Sequence, residues 1–162
     1  MRLFISYSTG DLEIVNQIAD ALRPHAEVYY WAKDNVPGQD AWQTIFQWIF
    51  LSDLVVAVIT DKTVSRAMSV GQEIGHAKAL NKTIIPLVHE EVSSSELGCL
   101  HGVTYISFSG DNATEPLNRL KGIITRTKQE KEAARNMFLT IGGILVLLYL
   151  FFGDKDDKKD WF

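Results

Sequence analysis

The sequence predicts an open, mostly parallel α/β sheet with helices on both faces, followed by one apolar helix near the C-terminus. Three observations carry that prediction. Five short apolar or β-branched runs alternate with stretches of helical periodicity. The third run, LVVAVI at 54–59, is apolar throughout, as a strand covered on both faces must be. The run MFLTIGGILVLLYLFFG at 137–153 holds no charged residue.

The elements follow in order. Residues 3–7 form a short apolar strand that ends in the turn Ser8-Thr9-Gly10. Asp11 is placed to cap a helix over 12–23, with Leu12, Val15, Ile18, Ala19 and Leu22 on one face and Pro24 as its stop. Residues 28–31 are β-branched and aromatic, a second strand. AKDNVPGQ at 32–39 is a loop by composition. A helix over 41–51 spaces Trp42, Ile45, Phe46 and Ile49 along one side. After the strand 54–59 a helix is expected over 64–80. The fourth strand is 83–88, and Pro86 places it at a strand end or a sheet edge. Residues 89–102 read as polar and irregular, 103–108 as the last strand, and 112–135 as the final helix of the domain.

With 162 residues there is room for one domain and additions to it. A net charge of −4 supplies no general basic surface for nucleic acid. Cys99 is the only cysteine, so no internal disulfide forms; this fits a reducing compartment. The opening MRLFISY lacks the basic stretch and long apolar core of a secretory signal, and none is expected. His25, His76, His89 and His101 lack paired ligand spacing, Cys99 has no CxxC partner, and no metal site is expected. P-loop, G-x-G-x-x-G and G-x-S-x-G motifs are absent, which argues against a conventional nucleotidase or dehydrogenase.

The segment 137–153 would span roughly 25 Å as a helix, at the short end for a hydrocarbon core of about 30 Å. It is apolar on every side, which disfavours a surface amphipathic helix; burial inside its own domain is the other reading. Arg119, Lys121, Arg126, Lys128, Lys131 and Arg135 precede it. Lys155, Lys158 and Lys159 follow, offset by aspartates. That bias places the N-terminal domain on the cytoplasmic side of a single-pass membrane protein. The expected organisation is a domain at 1–125, a helical linker at 126–136, a transmembrane helix at 137–153 and a charged tail at 154–162.

In open parallel sheets ligands bind beyond the carboxyl ends of the strands, here near 7–11, 31–39, 60–69 and 89–95. Three stretches stand there or beside it. They are Phe4-Ile-Ser-Tyr-Ser8 with Asp11, Lys33-Asp-Asn-Val-Pro-Gly38 with Trp42, and Ser69-Val-Gly-Gln-Glu-Ile-Gly-His-Ala77 with Lys82-Thr-Ile-Ile-Pro-Leu87. In this order and spacing they resemble the TIR (Toll/interleukin-1 receptor) domain, over about residues 1–125. FISYS is similar to its first box, VPG to its BB loop, and the Glu-Ile-Gly-His-Ala helix to that of bacterial TIR domains. The resemblance implies a flavodoxin-like five-stranded parallel sheet.

It also implies an activity. Many TIR domains cleave NAD+ between nicotinamide and ribose, using a glutamate that here corresponds to Glu73. NAD+ is then a consumed substrate, and no cofactor is required. The chemistry suits the residue: breaking an N-glycosidic bond builds positive charge on the ribose, which a carboxylate stabilises. Nicotinamide leaves from a cationic state and needs no general acid. The residues expected to contact substrate are Ser6, Tyr7, Ser8, Trp31, Pro37, Gly38, Trp42 and Ser69. The sequence departs from relatives at Ser8, where some have Arg, at Trp31, near where many have Asp, and at Ser69, where many have Trp. Trp31 and Trp42 either stack on a base or pack in the core. Asp11 would oppose a phosphate bound at the start of its helix. Gly71 and Gly75, spaced i and i+4, point to close packing of their helix on a neighbour, or to clearance for a ligand. By itself, Glu73 could equally be a solvated helix residue.

The resemblance to small bacterial TIR proteins further implies antiphage immunity of the Thoeris type. ADP-ribose or a cyclic ADP-ribose would then act as a signal on a product-sensing effector protein. The alternative is a membrane-tethered scaffold acting through TIR–TIR assembly, with the BB loop at 34–39 as a contact. A receiver-like domain is a third reading, but Asp11, Asp53 and Asp61 are scattered along the pattern.

Overall fold

The computed structural model describes residues 1–31, 40–64, 67–109 and 113–152. The strands are β1 (Arg2–Ser6), β2 (Glu27–Tyr30), β3 (Leu54–Ile59), β4 (Thr83–His89) and β5 (Ile106–Phe108). The helices are α1 (Leu12–Leu22), α2 (Ala41–Leu51), α3 (Asp61–Val64), α4 (Ala67–Ala79) and α5 (Thr114–Phe152). All strand pairs are parallel and the sheet order is β2-β1-β3-β4-β5. The expected five-stranded parallel sheet is therefore present.

Side-chain alternation explains why helices cover both faces. Leu3 and Ile5 of β1, with Leu54, Val56 and Val58 of β3, pack against Val15, Ile18 and Leu22 of α1 and Leu120 and Ile124 of α5. Phe4 and Val55 point the other way, onto Ile45 and Ile49 of α2 and Ala77 of α4. Ala57, Ile59 and Val88 complete that second face under Val70 and Ile74 of α4. Every residue of β3 is buried, as its apolar run requires.

Several expectations need correction. Asp11 makes no side-chain cap on α1; it ends a short 3-10 turn, Thr9–Asp11, and its carboxylate is used elsewhere. Capping of this type occurs instead at α2, where Asp40 accepts from the backbone N–H of Trp42 at 3.0 Å and of Gln43 at 3.4 Å. The helix expected over 64–80 is present as α4, and α3 stands before it; residues 65–66 lie outside the described residues. The stretch 89–102 contains a 3-10 segment, Ser94–Leu100, opened by a capping box between Ser93 and Glu96. Strand β5 starts later than expected, at Ile106. Pro86 lies inside β4 opposite Ala57, and pairing of β4 with β5 begins only at Leu87. At Pro86 the strand thus has one neighbour, which is where a missing N–H is tolerated. Gly71 and Gly75 do not serve close packing: among the described residues, a Cβ at either would meet nothing within 4 Å.

The chain divides into two compact units, the first Met1–Ile124 and the second beginning at Thr125. In the second unit Arg126 pairs with Glu130 at 2.9 Å one turn on. Met137, Phe138, Leu139, Ile141, Ile144, Leu145, Val146 and Leu147 are exposed. Among the described residues no helix is long and apolar enough to cross a membrane; Gly153, the last residue of the expected span, lies outside them.

Candidate active site

At the carboxyl end of β1 the sheet opens into a cavity of about 270 Å³. Tyr7, Ser8 and Thr9 line it from the turn after β1, Trp31 from the end of β2, and Trp42 and Ile45 from α2. Ser69, Val70 and Glu73 line it from α4. β1 lies between β2 and β3 and delivers its last residues where the chain order reverses, which is where an open parallel sheet leaves a crevice.

Glu73 is 7% exposed. Burial pushes its carboxyl up from 4.5 to about 7, against a smaller downward pull from the Ser6 hydroxyl. That serine makes no well-formed hydrogen bond. Among the described residues Ser6 Oγ, Ser8 Oγ and Glu73 Oε2 are the buried side-chain polar atoms left without a partner. Each such atom costs roughly 1–3 kcal/mol, and here all three belong to residues at one site. Unsatisfied polar groups gathered around a cavity are what a polar ligand would satisfy.

Tyr7 plays a different part. Its hydroxyl donates to the Trp31 carbonyl and ties the ends of β1 and β2 together. Burial first, then Tyr30 and Glu73, raise its phenol to about 12, so it stays a donor. Trp31 leans on Trp48, ring centroids 6.0 Å apart, and Trp42 on Phe46 at 5.5 Å. Both tryptophans are half-buried and both line the cavity, so packing and ligand contact coexist.

The structure thus brings together Tyr7, Ser8, Trp31, Trp42, Ser69 and Glu73, with Ser6 beside the carboxyl. Pro37 and Gly38 lie outside the described residues. The strand end at 89–95 contributes nothing to this cavity. Sequence reasoning missed Phe4, Ile5, Thr9, Ala41, Ile45 and Val70; Val70 sits one turn before Glu73, a signal that helical spacing supplies.

A second cavity, about 300 Å³, opens at the same edge of the sheet between α1 and the end of β3. Asp11, Glu13, Asp61, Lys62 and His89 are among its lining residues. Asp11 and Asp61 therefore line one cavity, while Asp53 accepts from the backbone N–H of Arg2 at 2.8 Å. This cavity is of similar size, yet its buried carboxylate is fully engaged. Thr60 Oγ1 donates to Asp11 Oδ2 at 2.7 Å, and Lys62 Nζ stands 3.7 Å from Oδ1. Among the described residues no group of three His, Cys, Asp or Glu is placed to hold a metal ion.

Fold and site together define an α/β domain with a carboxyl-bearing, aromatic-walled pocket at its topological switch point. Residues 3–121 match the TIR domain family, and the chain belongs to that family. No curated protein sequence matches the chain. Among solved structures, the CMP N-glycosidase BcmB of Clostridium botulinum is 23% identical, with a TM-score of 0.53 over 74% of this chain and 98% of that one. A 2-deoxyribosyltransferase from Bacillus psychrosaccharolyticus is 14% identical, with a TM-score of 0.53 over 75% and 90%. The TIR domains of the activated Roq1 resistosome are 13% identical, with a TM-score of 0.49 over 78% and 82%. At these identities the likeness is one of fold.

Proposed function

We propose that this TIR domain cleaves NAD+ at the bond between nicotinamide and ribose. The observation that carries the reading is the buried Glu73 carboxyl, with an unpartnered oxygen, beside a cavity walled by two tryptophans. In the pocket the carboxylate is poorly solvated, which is why its pKa is raised. A cationic nicotinamide ring brought close to it would reverse that penalty, so the site favours a positively charged substrate. As the C1′–N bond breaks, its electron pair leaves with nicotinamide and positive charge moves to the ribose. The Glu73 carboxylate stabilises that charge and accepts from the ribose hydroxyls, with Ser8 as a further polar contact. Attack by water then gives ADP-ribose, and attack by a group of the ADP-ribose itself gives a cyclic product. The fold is shared with a chain named as a CMP N-glycosidase, so this topology is compatible with breaking an N-glycosidic bond.

The resemblance stated above supplies the setting: antiphage immunity, self-association of TIR domains, and an effector that senses the product. We further propose that the apolar segment 137–153 contacts lipid, with the TIR domain on the cytoplasmic side. Its exposed side chains surround the helix, and a bilayer covers all sides where one partner helix covers a stripe.

The test is nicotinamide release from NAD+ by purified protein and by membranes that carry it. Wild type is expected to release nicotinamide and Glu73→Ala is not; equal release by both, or by neither, overturns the reading. Deletion of 137–162 is expected to move the protein from the membrane to the soluble fraction; a truncated protein that still pellets with membranes removes the lipid role.

A further inference from the structure

We propose that Asp11 and Thr60 are a positioning pair for the Glu73 pocket. The inference rests on the reaction just described and extends it to two residues outside the pocket. Neither lines the Glu73 cavity, and both are nearly inaccessible, at 4% and 5% exposure. Their contact joins the turn after β1 to the turn after β3. The first turn carries Tyr7, Ser8 and Thr9 into the pocket; the second leads toward α4 and Glu73.

The segment Tyr7–Asp11 is held at both ends. At its start the Tyr7 hydroxyl donates to the Trp31 carbonyl. At its end Thr60 Oγ1 donates to Asp11 Oδ2 at 2.7 Å. Within it the Asp11 N–H donates to the Ser8 carbonyl at 2.8 Å, so a shift of Asp11 is passed directly to Ser8. Lys62 reinforces the same joint: its Nζ donates to the Gly10 carbonyl at 3.2 Å and faces Asp11 Oδ1. Its aliphatic stem lies so near that a Cβ on Gly10 would come within 3.1 Å of it. Thr60 is fixed in turn, since its Oγ1 accepts from the backbone N–H of Lys62 at 3.2 Å and of Thr63 at 3.4 Å.

This frame accounts for the orphaned Ser8 hydroxyl. A buried hydroxyl without a partner costs free energy, and a frame that holds the site in place sustains that cost. Fixing Ser8 from both sides keeps its Oγ available to a ligand while Glu73 faces the same cavity.

The experiment compares Thr60→Val, which removes the hydroxyl, with Thr60→Ser, which keeps it. Hydrogen exchange at the amides of 8–11 is expected to accelerate about tenfold or more in Thr60→Val, with α1 and β3 still protected. For NAD+, kcat/KM is expected to fall about tenfold, mostly through KM, because Ser8 is displaced and Glu73 is not. Thr60→Ser is expected to restore both to within about twofold of wild type. Unchanged exchange in Thr60→Val overturns the proposal, as does faster exchange with unchanged kcat/KM. Should Thr60→Val fail to fold, Asp11→Ala, which removes both carboxylate oxygens, is read by the same two measurements. If wild type releases no nicotinamide, the reaction assignment fails by itself, and protection at 8–11 alone decides the pair.

Discussion

Two carboxyls are buried at the same edge of one sheet, and they are built to opposite ends. Asp11 is 4% exposed, with a hydroxyl on one oxygen and an ammonium facing the other. Glu73 is 7% exposed and has one oxygen with no partner. The cost of burying an acid is met inside the protein at Asp11 and left standing at Glu73. The difference teaches that depth of burial does not mark a reactive group; unmet demand does.

The comparison is broken or sharpened by giving both acids the same substitution, carboxyl to amide. The largest effect is expected at Glu73. Its folded pKa, about 7, lies above the 4.5 of an unperturbed carboxyl, so the folded chain binds the extra proton and this group favours the unfolded chain as pH rises between the two values. Above about pH 7 the deficit amounts to about 3 kcal/mol, and Glu73→Gln removes it. Chemical denaturation at about pH 8 is expected to find Glu73→Gln more stable than wild type by that order, and the gap to close toward about pH 4.5. A gap that does not change with pH would place the carboxyl in a polar environment. The same titration sets activity: kcat/KM for NAD+ is expected to rise with pH up to about 7 and then level, since the ionised form stabilises the developing cation. A flat profile would remove Glu73 from that role.

At Asp11 the sign reverses. Asp11→Asn keeps one acceptor and turns an amide toward Lys62, so a loss of about 1–2 kcal/mol is expected in the same denaturation experiment. A stabilised Asp11→Asn would abolish the contrast between the two acids. The smallest effect concerns the helix that carries Glu73. Gly75 pays the helix cost of glycine, and a Cβ there meets nothing within 4 Å among the described residues. Gly75→Ala is therefore expected to add up to about 1 kcal/mol without disturbing nicotinamide release. A loss of activity in that variant would show that the bare flank of α4 serves the reaction.

Much of the fold was legible because local pattern and tertiary role agree. The run 54–59 became β3 and the run 41–51 became α2, residue for residue. That Glu73, Ser8 and Trp42 would share a cavity was legible through ordered motifs on α4, the turn after β1 and α2. What stayed hidden depends on contacts between distant parts of the chain. Asp11 looked like a helix cap because Asp before an apolar helix usually is one; Thr60, 49 residues away, claims its carboxylate instead. The capping box of Ser93 and Glu96 was readable but was masked by the polar composition around it. The apolar run at 137–153 has the composition of a membrane span, and among the described residues no helix is long and apolar enough to cross a membrane.

The residues lining the Glu73 cavity run from Phe4 to Glu73, so β4, the 3-10 segment and β5 contribute none of them. One half of the sheet holds the cavity and the other supports it from behind. Substitutions on the supporting half are thereby uncoupled from the lining of the cavity, and that surface is free to acquire new contacts.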